Sequence, residues 1–375
     1  MPKSLFRRLT KKFFIVSNII LAVLFLLGCY GGWADPKTWW PLGFLTLAAF
    51  YLLLLLIGFI LFWLFVKPWW SLISVVAILL AYKPVTNIIP VRFSSSFDKQ
   101  KQTAALRIMS WNVEHFDILE HKEHPEKKQQ MLQLISEYQP DIACYQEMVG
   151  SDKIEKAINY IPDIIQEEGF TDYHFSFNPK LDFDRNHHFG IIIFSKYPII
   201  NKQTISFYPN DYNSIFQYAD IVKGEDTVRI FNIHLQSLKF SATNLEYIEK
   251  PDITDDEDLK KSKSLISKLK TGFLKRKKQA ERIKEELDKS PYPVIVCGDF
   301  NDVPNSYSYN TIGKGLKNAF IEKGKGIGRT FSGISPTLRI DNIFTADRFT
   351  VKQFLRIPKK LSDHFPIFAD VQLEK

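Results

Sequence analysis

The sequence predicts an α/β domain that follows a set of transmembrane helices. Two observations carry this prediction: residues 1–90 are long apolar segments with few charges, and the rest of the chain alternates short apolar runs with stretches of helical spacing. Strands and helices mixed in one continuous stretch are typical of an α/β domain whose helices cover sheets. We therefore divide the 375 residues into a membrane region at 1–90, a linker at 91–105 and an α/β domain at 106–375.

The membrane region contains two segments that are long enough to cross a bilayer as helices, which takes about 20 apolar residues. Residues 13–30 are nearly all apolar, and residues 42–66 are apolar and uncharged. Residues 69–82 form a third, shorter segment that spans only with help from its flanks, so two or three transmembrane helices are expected. The sequence around Cys29 also resembles a lipoprotein signal, but the long apolar segment that follows it makes a lipid anchor redundant.

Basic residues predict the orientation of the membrane region. Residues 1–90 contain eight basic residues and one acidic residue, Asp35, and five of the basic residues lie in the first twelve positions. Because cytoplasmic flanks are rich in Lys and Arg, the N-terminus is expected in the cytoplasm, and three spans would place the α/β domain outside it. If the third segment only lies in the interface, the domain stays inside. The α/β domain itself is close to neutral, so its overall charge does not favour nucleic acid as a partner.

Residues 106–111 open the α/β domain as an apolar strand, and helices and strands follow. Apolar residues on one side and polar residues on the other predict helices at 125–138, 154–168 and 279–287. Apolar runs predict strands at 142–145, 189–194, 215–222, 228–233, 294–297, 339–344 and 365–368. Cys144 and Cys297 lie inside two of these runs and are expected to be small core residues. Residues 239–278 pass from acidic to basic and predict a solvated helix, or else a basic arm on anionic lipid or on a polyanionic substrate.

Hard oxygen and imidazole ligands gather at the ends of the apolar runs near the end of the chain. Asp299 and Asn301 follow the run at 294–297. Asp363 and His364 precede the run at 365–368, and Asp341 lies on the strand between. Carboxylates beside a histidine suit a divalent cation and a general acid/base pair. This pattern predicts a site that cleaves phosphate esters.

Seven short motifs, in a fixed order, resemble those of one known superfamily. They are Ser110-Trp111-Asn112-Val113, Gln146-Glu147, residues 189–199, Asn232-Ile233-His234-Leu235, Gly298-Asp299-Phe300-Asn301, Arg339-Ile340-Asp341 and Ser362-Asp363-His364-Phe365-Pro366. The ordered set resembles the endonuclease/exonuclease/phosphatase superfamily, which includes deoxyribonucleases, abasic-site endonucleases, neutral sphingomyelinases and inositol-phosphate phosphatases. The resemblance covers about residues 105–373. It implies a four-layer α/β sandwich, with two packed mixed β-sheets flanked by helices and the site at one rim.

The resemblance implies that Glu147 is a carboxylate ligand for Mg²⁺ or Mn²⁺. Asn112 matches an asparagine that lies beside the metal and the phosphate, and Asp363 would be a further ligand or the neighbour of one. Glu114 lies where some relatives have a second acidic ligand, in a looser register. The expected cofactor is therefore a divalent cation held by Glu147, Asp363 and Asn112.

The resemblance also implies the roles of the remaining site residues. Asp299 orients or deprotonates the attacking water, and Asn301 hydrogen-bonds the phosphate oxygens. His364 contacts the scissile phosphate, while Asp341 holds its tautomer and stabilises the imidazolium. His234 is a proton donor or a phosphate contact, so no residue needs to form a covalent intermediate.

The expected function is therefore a membrane-anchored, metal-dependent phosphodiesterase or endonuclease, in which water attacks the phosphate in line. Its partners would be the lipid bilayer and a phosphoester substrate. Nucleic acid, a phospholipid headgroup and a soluble phosphoester all stay open as substrates, because rim loops decide the choice. Non-enzymatic binding of an anionic partner is the alternative, and the complete set of site residues argues against it.

Candidate side chains for a substrate wall are Tyr208, Tyr212, Phe216 and Tyr218. Four histidines without a motif are expected at the surface: His115, His121, His124 and His174.

Overall fold

The computed structural model describes residues 2–90, 92, 96–152, 158–179, 182, 186–206, 215–238 and 256–374. Three features singled out in the sequence fall outside these residues. They are Tyr208 and Tyr212 of the candidate substrate wall, positions 154–157 of the helix expected at 154–168, and the part of the charged segment before residue 256.

The membrane region contains helices α1 (Pro2–Tyr30), α2 (Pro36–Trp39), α3 (Pro41–Val66), α4 (Ser71–Leu80) and α5 (Tyr82–Ile88). Two stretches are long and apolar enough to cross a membrane, Leu5–Trp33 and Pro41–Val66, with mean hydropathies of 2.4 and 2.8. Residues 68–88 form a third candidate, which is bent by 73° between α4 and α5. Pro84 lacks the N–H that would bond to the Leu80 carbonyl in a continuous helix. The Tyr30 hydroxyl donates to that carbonyl instead, at 2.6 Å.

Hydrogen bonds between the helices fix their directions. The Ser74 hydroxyl of α4 donates to Asn18 Oδ1 of α1 at 2.7 Å, and α4 ends beside the end of α1. These two helices therefore run in the same direction. The Thr46 hydroxyl near the start of α3 donates to the Gly28 carbonyl near the end of α1 at 3.0 Å. The end of α1, the start of α3 and the end of α4 thus lie at one end of the bundle.

Strands of the described α/β domain form two six-stranded sheets. In chain order the strands are β1 (Leu106–Asn112), β2 (Ile142–Gly150), β3 (Asp172–Phe177), β4 (His188–Ser195), β5 (Ile199–Ser206), β6 (Ile215–Lys223), β7 (Asp226–His234), β8 (Val294–Asp299), β9 (Leu316–Asn318), β10 (Asp341–Ala346), β11 (Phe349–Arg356) and β12 (Ile367–Leu373). The first sheet has the order β11-β12-β1-β2-β4-β3 and the second has the order β5-β6-β7-β8-β10-β9. Each sheet is mixed, because its parallel pair, β1 with β2 or β7 with β8, is flanked by antiparallel strands.

The helices of the described α/β domain are α6 (Pro125–Tyr138), α7 (Ile161–Glu168), α8 (Asp256–Asp288), α9 (Tyr307–Ile312) and α10 (Ala319–Lys323). Four of them, α6 to α9, cover the outer faces of the two sheets. An apolar core between the sheets includes Ile108, Cys144, Ile230 and Cys297, which confirms that these two cysteines are core residues. α6 and α7 pack on the outer face of the first sheet, and α8 and α9 pack on that of the second. This arrangement confirms the four-layer α/β sandwich.

Several boundaries differ from those expected from the sequence, among them the starts of α7, α8 and β10. α7 begins at Ile161, where Asn159 accepts the Ile161 N–H at 3.1 Å and a proline occupies the first turn. α8 has 33 residues, so the helix expected at 279–287 is only its last part. β10 begins at Asp341 because the backbone N–H groups of Ile340 and Asp341 donate to the Thr330 hydroxyl.

The membrane region packs directly on the α/β domain. Gly32, which follows α1, lies so close to Asn305 that a Cβ atom at position 32 would be 1.9 Å from the Asn305 carbonyl oxygen. Glycine is therefore required at this contact. At the end of α5, the buried Arg339 guanidinium donates to the backbone carbonyls of Asn87 and Ile88. Arg339 thus ties the end of the third membrane segment to the α/β domain.

The described part of the expected linker, 96–105, lies against the domain. The Arg107 guanidinium donates to the carbonyls of Asp98 and Lys99, and it lies 4.8 Å from the Phe97 ring centroid. Arg107 is itself held by a buried ion pair with Asp370 at 2.7 Å. Residues 96–105 therefore pack with the domain.

Candidate active site

The topology of each sheet brings its polar residues to one edge. Parallel strands end at the same edge, so Asn112 at the end of β1 lies opposite Gln146 of β2. His234 at the end of β7 lies opposite Asp299 at the end of β8. β10 runs antiparallel to β8, and its first residue, Asp341, therefore pairs with Asp299.

The segment that leads into β12 completes this edge. β12 is antiparallel to β1, so the residues just before it lie beside the end of β1. The Ser362 hydroxyl donates to the Asn112 carbonyl at 2.7 Å, and the His364 N–H donates to the Ser362 hydroxyl at 3.1 Å. The Trp111 indole N–H donates to the His364 carbonyl at 2.9 Å. These bonds fix the backbone of His364 over the end of β1 in the first sheet.

Asp299 lies at the centre of the candidate site, with an exposed side-chain fraction of 1%. Its Oδ1 accepts the Asn301 backbone N–H at 2.7 Å, and its Oδ2 accepts the Asn301 and Asn112 amides at 3.1 and 3.3 Å. The Nε2 atoms of His234 and His364 lie 3.6 and 3.7 Å from the same Oδ2. The carboxylate is therefore flanked by two imidazoles and two amides.

Burial governs the electrostatics of this centre. Burial raises the pKa of Asp299 to about 7, although the His364 charge opposes that rise. Burial would lower the pKa of His364, but the carboxylates of Asp341 and Asp299 outweigh it and raise that pKa well above its ordinary value. The imidazolium form of His364 is thus favoured. It lies beside Asp299, whose carboxyl group titrates near neutral pH.

His364 and Asp341 form a buried histidine–carboxylate pair. The distance from His364 Nδ1 to Asp341 Oδ2 is 2.8 Å, so Nδ1 carries the hydrogen and Nε2 faces Asp299. Thr330 holds the backbone of Asp341, and the Phe331 ring packs against the imidazole with centroids 5.0 Å apart. Sequence reasoning did not find Thr330 or Phe331, because neither lies in a motif.

A β-bulge positions Glu147. The register between β2 and β4 shifts between Tyr145 and Met148, and Glu147 has φ of 55°. A bulge re-aims a side chain at the end of pairing, and here the Glu147 carboxylate lies 3.7 Å from the Nε2 of His234. The bulged neighbour Gln146 is anchored by a 2.7 Å hydrogen bond to Asn232 Oδ1 in the other sheet.

Acidic groups concentrate near Glu147. The Asp363 backbone N–H donates to Glu114 Oε2 at 3.0 Å. Burial raises the pKa of Glu114, and repulsion from Asp363 and Glu147 raises it further. A cluster of hard oxygen donors that repel one another fits a divalent cation of the Mg²⁺ or Mn²⁺ type. Asn112, Glu147 and Asp363, the expected ligands, all line the same cavity.

The structure places the eight expected site residues in two layers. Asn112, Glu147, Asp299, Asn301, Asp363 and His364 line one cavity of about 560 Å³. His234 and Asp341 are buried and contact residues of this lining. Ligand atoms of Asp299, Asp341 and His364 lie within 4.8 Å of one another, so these three side chains are close enough together to bind one metal ion.

His115 corrects one expectation from the sequence. It was expected at the surface, but it is mostly buried, its Nε2 lies 3.7 Å from Glu147 Oε2, and burial lowers its pKa. Residues 114–117 all have positive φ, and this turn carries His115 back toward the bulge of β2. Positive φ in four non-glycine residues has no sequence signal. A second acidic group, Asp117 with Glu120 and His124, lies on the same turn but is mostly exposed.

Comparison with known proteins identifies the family. The sequence profile of the endonuclease/exonuclease/phosphatase family matches residues 109–364. The chain belongs to this family. Residues 11–88 match a separate family described as a domain of unknown function. No protein with a curated description matches the chain.

Solved structures agree on the fold. An endonuclease/exonuclease/phosphatase from Bacteroides vulgatus is 18% identical, with 72% of this chain and 99% of that chain covered and a TM-score of 0.50. A humanized D. rerio TDP2 carrying 14 mutations is 17% identical, with 72% and 100% covered and a TM-score of 0.50. Family membership supports a metal-dependent phosphoesterase in general, because enzymes of this family hydrolyse phosphoester bonds and use divalent metals.

Proposed function

We propose that the chain is a membrane-anchored, divalent-metal-dependent phosphodiesterase or endonuclease. The observation that carries this proposal is the convergence of a buried His364–Asp341 pair, the shared carboxylate of Asp299 and a cluster of hard oxygen donors on one cavity. A scissile phosphate at this position would meet a charged donor, a base and the groups that would hold a charge-neutralising cation.

Each protein group has a distinct task in the proposed reaction. Asp299 orients the attacking water and accepts its proton, since its Oδ2 lies between the two imidazole Nε2 atoms. His364 acts as the imidazolium: Asp341 accepts its Nδ1–H, and its Nε2–H donates a hydrogen bond to the phosphoryl oxygens. The Asn301 amide and His234 stabilise the charge that develops on the phosphate. Water displaces the leaving oxygen in line, and the phosphorus–oxygen bond to that oxygen breaks.

Glu147, Asp363 and Asn112 are the groups that would hold the cation. When bound, a divalent cation supplies neutralisation of the phosphate charge and stabilisation of the leaving oxygen. The side chains of Glu147 and Asp363 are 20% and 44% exposed, so both carboxylates are open to the cavity.

Three crossings of the bilayer fit the helix directions. α4 runs in the direction of α1, so the chain comes back to the end of the bundle that contacts the domain. Arg7, Lys11 and Lys67 lie together at the opposite end. The positive-inside rule assigns that end to the cytoplasm, and this supports the proposal that the α/β domain lies outside it. The bilayer and a phosphoester are thus the proposed partners.

Hydrolysis of bis(p-nitrophenyl) phosphate by the full-length protein in detergent tests the proposal. Activity should require Mg²⁺ or Mn²⁺ and should disappear with EDTA. Asp299→Asn and His364→Ala should each lower the rate by about 10²–10⁴-fold, and Asp341→Asn should lower it through the wrong tautomer of His364.

The matched control is His124→Ala, which removes an exposed histidine of the same domain and should leave the rate unchanged. Hydrolysis that survives in His364→Ala at nearly the wild-type rate would place the reaction elsewhere. Absence of metal-dependent hydrolysis of every phosphoester, with retained binding of anions, would favour a non-enzymatic binding module.

A further inference from the structure

The cavity that contains the candidate site has two unlike halves. Its polar half is the cluster of site residues at the ends of the sheets. Its other half is apolar and is built from three separate elements. The apolar side chains used in this argument are Leu47 and Tyr51 of α3, Leu265 and Leu269 of α8, and Phe331 and Ile334 of the loop before β10.

One wall of the cavity belongs to a candidate transmembrane helix. α3 has 26 residues and is followed at once by Lys67, which marks the membrane interface at that end. The hydrocarbon core is about 30 Å thick, which about 20 helical residues cross at 1.5 Å each. Twenty residues counted back from Val66 reach Leu47. Leu47 therefore lies at the opposite boundary of the hydrocarbon core, and Tyr51 lies about one turn inside it.

The α/β domain reaches to this depth. The Tyr51 hydroxyl lies 2.8 Å from the Ser335 hydroxyl, which joins α3 to the loop that also carries Ile334. Ile334 has an exposed fraction of 43% and a φ of 57°. A β-branched side chain at positive φ is strained, and here the loop presents that side chain at the edge of the cavity next to Tyr51. The apolar half of the cavity thus opens at the bilayer boundary.

We propose that the substrate is a membrane lipid that carries its phosphoester in the headgroup. The acyl part would occupy the apolar half between α3, α8 and the loop at 331–338, and the phosphate would lie at Asp299 and His364. Lipid enters sideways from the bilayer, so only the headgroup leaves the membrane. A water oxygen bonds to phosphorus and its proton passes to Asp299, the bond from phosphorus to the leaving oxygen breaks, and the leaving oxygen takes a proton from solvent, to which Asp299 returns the proton that it received. This inference rests on the proposed phosphoesterase activity.

Nucleic acid and soluble phosphoesters make no use of this half of the cavity. An apolar wall contributes affinity only through apolar surface that it removes from water. The geometry therefore favours lipid among the three substrate classes.

The test compares matched substrates on the full-length protein in detergent micelles with Mg²⁺. One set consists of micellar dioleoyl phosphatidylglycerol, phosphatidylethanolamine and phosphatidic acid, and the other of their deacylated headgroups. Plasmid DNA, RNA and bis(p-nitrophenyl) phosphate complete the panel. At least one lipid should be hydrolysed with kcat/KM at least about tenfold above its deacylated form, which corresponds to 1.4 kcal/mol of selective binding.

A pair of variants assigns that preference to the cavity wall. The double change Leu265→Gln and Leu269→Gln should lower kcat/KM for the lipid by about tenfold or more. The ratio of kcat/KM for the lipid to kcat/KM for bis(p-nitrophenyl) phosphate should fall as well. The matched control is Ile266→Gln on the same helix, which is 44% exposed and does not line the cavity. The control should alter neither rate.

The outcomes separate the two proposals. Metal-dependent cleavage of bis(p-nitrophenyl) phosphate without a preference for acylated substrates would overturn the lipid assignment and leave the phosphoesterase standing. Faster cleavage of DNA or RNA than of any lipid would overturn it as well. If the double variant lost the same factor in kcat/KM for the lipid and for the soluble substrate, the apolar wall would not be the cause of the lipid preference. No hydrolysis of any substrate with Mg²⁺ or Mn²⁺ would overturn the proposed function itself.

Discussion

Arg339 offers a direct test of how strongly the membrane region and the α/β domain are joined. Its side chain is 1% exposed and donates to the backbone carbonyls of Asn87, Ile88 and Ile327, with distances of 3.2 Å to Ile88 and 3.0 Å to Ile327. The guanidinium also lies 4.2 Å from the Phe320 ring centroid. Asn87 and Ile88 end α5, where helix carbonyls have no partner inside the helix. The charge therefore caps α5 from the domain side.

The magnitude follows from two opposing contributions in Arg339→Met. Three carbonyls lose their donor, and each unpaired buried acceptor costs about 1–3 kcal/mol. Burial lowers the pKa of Arg339 from 12.5 to about 10, so removing the charge returns about 3 kcal/mol. The net loss should lie between about 0 and 6 kcal/mol, and its midpoint of about 3 kcal/mol corresponds to roughly 6–12 °C in Tm by the scaling for domains of 150–250 residues.

Thermal unfolding of the full-length protein in detergent measures this loss. Arg339→Lys should fall between wild type and Arg339→Met, because an ammonium group reaches fewer carbonyls than a guanidinium. Arg348→Met is the matched control, since Arg348 is exposed and nine residues further along the chain. If Arg339→Met and Arg348→Met unfold at the same temperature, the cap contributes nothing and the two regions are held by other contacts.

Three further predictions concern metal, topology and pH. Glu147→Gln should raise the Mg²⁺ concentration for half activity by at least about tenfold, and an unchanged titration would remove Glu147 from the ligand set. A phosphatase reporter fused after the last residue should be active outside the cytoplasm, whereas activity of a cytoplasmic reporter there would mean that residues 68–88 do not span. Burial raises the pKa of Glu168, which accepts the Ser136 hydroxyl at 2.7 Å. Its stabilising contribution is therefore complete below the unfolded pKa of about 4 and is lost as pH rises through the folded pKa. Glu168→Gln should accordingly raise Tm at about pH 7.5 and lose that advantage near pH 4, and a constant difference across this range would contradict the assignment.

The fold and most of the site could be predicted because their signals are local. Each strand is a short apolar run, and the polar residue at its tip marks where the strand leaves the core. His234 and Asp299 end adjacent parallel strands, so their proximity follows once the two runs are paired. Asp341 begins the antiparallel neighbour and meets the same point. The apolar runs alone do not tell which strands are neighbours in a sheet. The resemblance of the ordered motifs to a known family supplied that information.

The remaining features depend on backbone conformation that no residue type specifies. Glu147 reaches the cavity through a β-bulge, and a regular strand would turn alternate residues to opposite faces. His115 lies beside it because four successive residues adopt positive φ. The apolar half of the cavity combines Leu47 with Leu269, which are far apart in the chain, and no local pattern indicates that a membrane helix and α8 share a wall.

The contact at Gly32 bears on how such a protein can be assembled in evolution. A single added methyl group at that position would collide with the Asn305 carbonyl at 1.9 Å. The hairpin between the first two long helices and the loop after β8 are therefore shaped to each other's backbone. Replacement of the membrane region by an unrelated one would leave the α/β fold intact. It would remove the close contact between Gly32 and Asn305. We therefore expect the membrane region and the α/β domain to be inherited together. Relatives that retain both should have a glycine at the position of Gly32.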